Sequence, residues 1–207
     1  MDYSARRLSK KTNYSDVELD LDVDNEKVEI QNNRIYYYTD VNEKSVLQLN
    51  KSIHKILNNA KVHSAQFDQP LKNSGSLILH IQSYGGSVFA GLSAMDTLEY
   101  VGRQIPVTTI VDGQAASAAT FISLAGTKRL MYKRSYMLIH QVSSGHWGKY
   151  EEFRDEMDNL DGLMNTIYDI YGEYSKIPKR ELRKLLKRDL WLDSKTCFEY
   201  GLIDEII

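Results

Sequence analysis

Short runs that are apolar at nearly every position alternate along this chain with longer stretches whose apolar residues recur every three or four. Residues 34–38, 77–81, 107–111 and 136–139 are rich in β-branched and aromatic types and too short for helices, so they predict buried strands. Val46, Leu49, Ile53, Ile56 and Leu57 predict a helix from Asn42. Val88, Leu92, Met95, Leu98 and Tyr100 predict another, which Gly102 and Pro106 bring to an end. From Glu151 a long helix carries Phe153, Met157, Leu160, Met164, Ile167, Tyr171 and Tyr174, spaced alternately by four and three. Such a seam suits packing on another helix, either within the chain or from a second copy of it. Pro178 opens a further helix over 179–187, Ser194 caps a short last one that Gly201 ends, and 202–207 reads as a closing strand.

Between these elements the pattern weakens. Residues 61–76 show no period and carry Pro70, Asn73 and Gly75, which predicts a long loop. Residues 1–31 are polar, with an acidic patch over 16–29. Val17, Leu19, Leu21 and Val23 alternate there with acidic residues, as in a solvent-facing strand or hairpin arm, or else the segment is a flexible tail. Strands alternating with helices, the strands apolar on both faces, predict an α/β fold with one domain over 34–207.

Composition narrows the function classes without choosing one. Apolar residues make up 42% and charged residues 26% of 207, as in ordinary soluble proteins. A net charge of −2 gives no reason to expect nucleic acid or an anionic membrane. The lone Cys197 excludes an internal disulfide and a cysteine-built metal cluster, which fits a reducing compartment. With neither an apolar leader nor a membrane-length apolar run, a cytoplasmic protein is expected. His80, inside a strand, is read as a hydrogen-bonded structural histidine.

The chemistry centres on 111–119. The strand is expected to end at Asp112, Gly113 to permit a sharp turn, and the small residues Ala115, Ala116, Ala118 and Ala119 to let a helix start close to another segment. Ser117 sits at that helix start, where unpaired N–H groups suit an oxyanion. A second turn, Gly85-Gly86, lacks the spacing of a dinucleotide site or a P-loop. Its Gly86 N–H and that of Ala118 are expected to converge on one oxygen. A serine needs a base and the base an orienting acid, for which His140 and Asp189 are the candidates. Asp189 is expected to be partly buried. No metal or cofactor is called for.

In combination, Ser83-Tyr84-Gly85-Gly86-Ser87, Gly113 to Ser117, Met137-Leu138-Ile139-His140-Gln141, Arg188-Asp189 and Glu199-Tyr200-Gly201-Leu202-Ile203-Asp204 resemble the ClpP serine peptidase family, in the family's order. The resemblance covers residues 34–207 and implies a crotonase-like fold, with stacked sheets flanked by helices and a protruding handle over about 142–176. It implies Ser117 as nucleophile, His140 as base, Asp189 as acid, and Gly86 and Ala118 as oxyanion-hole amides. It further implies a homo-oligomer of heptameric rings, two of them stacked into a tetradecamer, that admits peptides and unfolded polypeptides. Arg188 and Glu152 are candidate ring–ring contacts, and a Clp-type ATPase unfoldase is a possible partner.

Several features depart from that family. Tyr84 stands where it usually has Pro, and 61–76 is longer than the corresponding segment. Residues 1–33 match the family's gate segment poorly, and the usual tail after Ile207 is missing, which weighs against docking to a standard Clp ATPase. Three other readings compete with an active peptidase. They are a catalytically silent ring subunit that regulates an active paralogue, acyl-CoA chemistry on the crotonase fold, and a membrane-associated Ser–Lys peptidase using Lys128 or Lys133.

Overall fold

The computed structural model describes residues 27–207, so the alternating stretch 17–23 lies outside the described residues. Two short strands open the fold, β1 (Lys27–Gln31) and β2 (Arg34–Tyr38), paired antiparallel through a tight turn at Asn32, whose φ of 58° is one that Asn tolerates. The folded body therefore begins ahead of residue 34. Val28 and Ile30 alternate with Lys27, Glu29 and Gln31, a strand signal submerged in the polar composition of its surroundings.

Helix α1 (Glu43–Phe67) starts in a capping box, where Asn42 Oδ1 accepts from Ser45 N at 2.9 Å and Ser45 Oγ from Asn42 N at 3.1 Å. It runs through the region expected to be a loop and stops only at Asp68, in the left-handed conformation. Its buried positions end at Ala60, and Val62 and Phe67 are exposed. With no face to bury, the last two turns carry no period, so they could not be read. A loop of 68–76 remains, including one 3-10 turn at Leu71–Asn73.

The parallel core is β3 (Leu77–Ser83), α2 (Val88–Gly102), β4 (Val107–Ala116), α3 (Ala118–Leu124) and β5 (Lys128–Met131). It is followed by β6 (Tyr136–Leu138), the long α4 (Tyr150–Tyr174), α5 (Lys179–Leu185), β7 (Trp191–Asp193), α6 (Ser194–Glu199) and β8 (Glu205–Ile206). The sheet runs β1-β2-β3-β4-β5-β8, and a wing of β6 and β7 branches from the far end of β4. Leu79, Ile81 and Val111 face Ile53, Leu57 and Leu98 of the helical layer, all buried. Removing their apolar surface from water is the main stabilising term.

β4 does not end at Asp112. It changes partner there, pairing with β5 through Thr108 to Val111 and with β6 through Gln114 to Ala116. Gly113 (φ 85°) sits at the change, where the register against β3 also shifts between Ile81 and Ser83. One end signal also differs from expectation. Asp193, not Ser194, caps α6, because Ser194 Oγ is turned inward to donate to Lys133 O at 2.9 Å. Gly126, just after α3, is small for contact, since a methyl group there would stand 2.4 Å from Thr109 Oγ1.

The seam of α4 divides. Ile167 and Tyr171 are buried, and the Tyr171 hydroxyl lies 2.6 Å from Thr120 Oγ1 of α3. Phe153 and Met157 in the first half are exposed, as is Trp147 just before the helix at 97%. The helix is anchored by its second half and projects with its first.

Candidate active site

The sharp turn lies at Ser117 itself. With φ 53° and ψ −128°, Ser117 joins β4 to α3 through a conformation that side-chain-bearing residues seldom adopt. Three bonds hold it there: its N–H donates to Leu138 O at 2.8 Å, and its carbonyl accepts from Thr120 N at 2.9 Å and from Thr120 Oγ1 at 2.6 Å. Its side chain is part-exposed, at a helix start whose first N–H belongs to Ala118. A strained strand-to-helix turn is one way a fold presents a hydroxyl for nucleophilic chemistry.

The glycine pair divides the labour of closing on that turn. Gly85 touches it, since a methyl group there would stand 2.5 Å from Ala116 O, 2.7 Å from Ser117 Cβ and 3.1 Å from Ala118 N. Gly86 packs instead on Val41, whose N–H donates to Gly85 O and whose carbonyl accepts from Ser87 N, both at 2.7 Å. In that parallel bridge the N–H of Gly86 points away from Val41. Ala118 N, as the first helical amide, has no acceptor within its helix. Gly85, the first glycine of the Gly85-Gly86 turn, and Val41, which the sequence does not single out, thus position the candidate oxyanion amides. The glycine pair is visible in the sequence, but Val41 carries no signal of its own.

The segment that the small Ala118 side chain admits is α2. The side chain is 1% exposed and faces α2, where a methyl group on Gly91 would stand 3.0 Å from Ala118 Cβ. This alanine lets two helices approach, whereas the loop closure over Ser117 depends on Gly85.

His140 and Asp189 reach the same region through the wing. β6 is parallel to the end of β4 and antiparallel to β7, and Gln141 N donates to Leu186 O at 2.7 Å, so 186–193 runs back alongside 136–141. His140 Nδ1 and Asp189 Oδ1 are 3.6 Å apart, a charge-pair separation longer than a hydrogen bond. The Asp189 side chain is 81% exposed, contrary to the partial burial expected for it. Leu190 and Trp191, the apolar residues that follow it, are themselves exposed. Among the described residues, no hydrogen bond joins Ser117 Oγ to His140.

Beside the Gly86 loop lies a cavity of about 770 Å³, bounded by the start of α2, residues 142–144 and the first half of α4. Val142 N donates to Met164 Sδ at 3.3 Å, which ties this edge of the cavity to the helix. Tyr84 and Phe89 flank the loop, both exposed.

Arg188 is exposed, and Glu152 Oε2 accepts from Lys149 N at 2.8 Å at the start of α4. Cys197 is buried, and burial pushes its thiol up to about 12, so it stays protonated. His80 bonds Arg34 as expected of a structural histidine, with Arg34 Nη1 3.2 Å from its Nε2. Its other nitrogen, Nδ1, is buried without a hydrogen bond, 3.7 Å from Asp112 Oδ2. No group of three or more His, Cys, Asp or Glu side chains placed to hold a metal occurs among the described residues.

A sheet backed by α1 to α3, with a projecting helix and a hydroxyl at a β4–α3 turn, defines an α/β fold of the crotonase-like class. The fold is shared with a ClpP1 mutant from Listeria monocytogenes, at a TM-score of 0.69 and 22% identity, covering 85% of this chain and 91% of that one. The Clp protease family profile matches residues 29–207. An ATP-dependent Clp protease proteolytic subunit from Lactococcus lactis subsp. cremoris is 31% identical over 167 residues, 78% of this chain and 82% of its own. The subunit of the same description from Porphyromonas gingivalis is 34% identical over 131 residues, 62% of this chain and 58% of its own. The chain belongs to the Clp protease family, as a relative of its proteolytic subunits.

Proposed function

We propose that this chain is a serine endopeptidase that hydrolyses peptides and unfolded polypeptides through an acyl-enzyme on Ser117. The observation that carries the reading is the placement of Ser117 in a positive-φ strand-to-helix turn, with the outward N–H of Gly86 and the first helical N–H of Ala118 beside it. In this mechanism Ser117 Oγ attacks the scissile carbonyl while His140 Nε2 takes its proton. The two amides receive the oxyanion, a contribution of about 3–4 kcal/mol per donor in comparable enzymes. His140 then returns the proton to the leaving amine, and a water repeats the sequence to release the acid. Asp189 orients the imidazole through Nδ1, for which its 3.6 Å separation must shorten.

The assembly proposed is a homo-oligomer of stacked heptameric rings meeting through α4, whose exposed Phe153 and Met157 suit contact with a second copy. Arg188 and Glu152 are the proposed polar contacts there. A cytoplasmic setting with a Clp-type ATPase partner belongs to the same proposal. No helix among the described residues is long and apolar enough to cross a membrane.

Labelling with a fluorophosphonate probe and cleavage of fluorogenic peptides, with Ser117→Ala as control and particle mass measured alongside, tests this reading. Full cleavage by Ser117→Ala would overturn it. The loose His140–Asp189 pair and the exposure of Asp189 favour one alternative, a catalytically silent ring subunit. Rings that never label would establish that alternative.

A further inference from the structure

We infer that the outer face of α1 is the seat of the chain's own acidic segment, residues 16–26, held there chiefly by charge. The inference stands apart from the peptidase reading, because it uses neither Ser117 nor its neighbours.

The face is suited to such an occupant. Val46, Leu49, Ile53 and Ile56 turn α1 toward the core, which leaves Leu47, Lys51, His54, Lys55 and Asn58 along the opposite side at helical spacing. Those five border an open groove of about 460 Å³. Leu47 is 56% exposed there, so the groove offers an apolar contact beside its charges. The helix as a whole carries four lysines against the single Glu43. Among the described residues neither Lys51 nor Lys55 forms an ion pair, whereas Lys128 pairs with Glu205 at 2.8 Å and Lys184 with Glu181 at 3.4 Å.

The segment supplies what the face lacks. Asp16, Glu18, Asp20, Asp22, Asp24 and Glu26 put six carboxylates and no basic residue into eleven positions, with Val17, Leu19, Leu21 and Val23 between them. It also ends in the right place. Lys27 begins β1, and the next residue is tied to α1, with Gln48 Nε2 donating to Val28 O at 3.1 Å. From Gln48 to Lys55 the helix rises about 10 Å, a distance that about four extended residues span. A segment joined at that point is held at an effective concentration of the order of millimolar. An acidic stretch of a second copy, or of another protein, has the charge but not the tether. Each exposed ion pair contributes little by itself, so several carboxylates facing two lysines, with Leu47 covered between them, are what make the seat.

The test is carbodiimide cross-linking of the full chain, with the products mapped by mass spectrometry. The expected result is amide bonds from carboxylates of 16–26 to Lys51 and Lys55, falling about fivefold at about 1 M salt, where the screening length shrinks to about 3 Å. A second variant removes the segment's charge through Asp16→Asn, Glu18→Gln, Asp20→Asn, Asp22→Asn, Asp24→Asn and Glu26→Gln. Acylation of Lys51 and Lys55 by an N-hydroxysuccinimide ester should then speed up about threefold, the scale of one or two exposed ion pairs, while Lys195 reacts as before. To identify which chain donates the carboxylates, the neutralised variant is co-expressed with Lys51→Gln/Lys55→Gln protein, so that neither chain holds both halves of the pair. No bond between 16–26 and Lys51 or Lys55 is expected from that mixture. Bonds formed there would give the seat to a second copy and overturn the assignment. So would bonds to other lysines alone, or acylation rates that neutralisation leaves unchanged.

Discussion

Gly85 is pressed against Ser117 so closely that no side chain fits between them: a methyl group on the glycine would stand 2.7 Å from Ser117 Cβ. The same methyl would meet Ala116 O at 2.5 Å, and Gly85 has φ 93°, where a side chain is strained in any surroundings. Gly85→Ala is therefore expected to displace the Ser117 turn from the Gly86 amide. A misplacement of about 1 Å at reacting atoms costs on the order of a hundredfold in rate. Peptide kcat/KM should fall by about that factor, while urea unfolding shows a loss of about 1–3 kcal/mol. Unchanged kinetics would separate Gly85 from the site.

Ser117 holds a backbone conformation that glycine adopts without penalty. Relief of strain is worth about 1–3 kcal/mol. Against it stands about 0.5–1 kcal/mol for the added freedom of glycine in the unfolded chain. Ser117→Gly should thus be more stable than Ser117→Ala by about 1 kcal/mol, with both inactive. Calorimetric Tm values of the two variants measure the difference. Equal Tm values would mean that the turn holds no strain.

Ala118→Leu is expected to damage the fold rather than turnover alone. The side chain is buried between α3 and Gly91 of α2, where added methylenes force the helices apart at about 1–3 kcal/mol. Denaturant midpoints should fall along with activity. A variant of wild-type stability with lost turnover would instead place the Ala118 side chain on the substrate path.

Burial lowers the pKa of His80 below its ordinary 6.5, and the Arg34 guanidinium adds to that, while Asp112 opposes both. A proton binds the unfolded chain more readily than the folded one, so the stability is intact above the unfolded value. It is lost as pH falls below 6.5 toward the lowered folded value. Tm should drop between about pH 7.5 and about pH 5.5, and His80→Phe should flatten that drop. The same slope in the variant would assign the effect to other groups.

Legibility in the sequence followed burial. Val46, Leu49, Ile53, Ile56 and Leu57 announced the first half of α1 because that face meets the sheet, and the last turns were silent because nothing covers them. The candidate nucleophile and base were readable because each sits at the end of a strong apolar strand, β4 and β6. The turn geometry was not, because the strain falls on Ser117 and not on the glycine that seemed to invite it. The surroundings of Asp189 were misread because Leu190 and Trp191 look like core residues, yet among the described residues they lie at the outer margin of the wing. Val41 was invisible because its role is played by backbone atoms alone.

The branching of the sheet at Gly113 has a consequence for how such a site can be switched. Beyond that glycine β4 bears Ser117, β6 leads into His140, and Asp189 just precedes β7. The wing meets the main sheet through three paired positions, Gln114 to Ala116. The candidate base and acid therefore ride on one small lamella, and the candidate nucleophile on its hinge line. A tilt of that lamella would move both partners relative to Ser117 at once, without disturbing the packed core behind β3. A neighbouring molecule pressing on Trp191 or Tyr136 would have a lever on all three side chains through main-chain bonds alone.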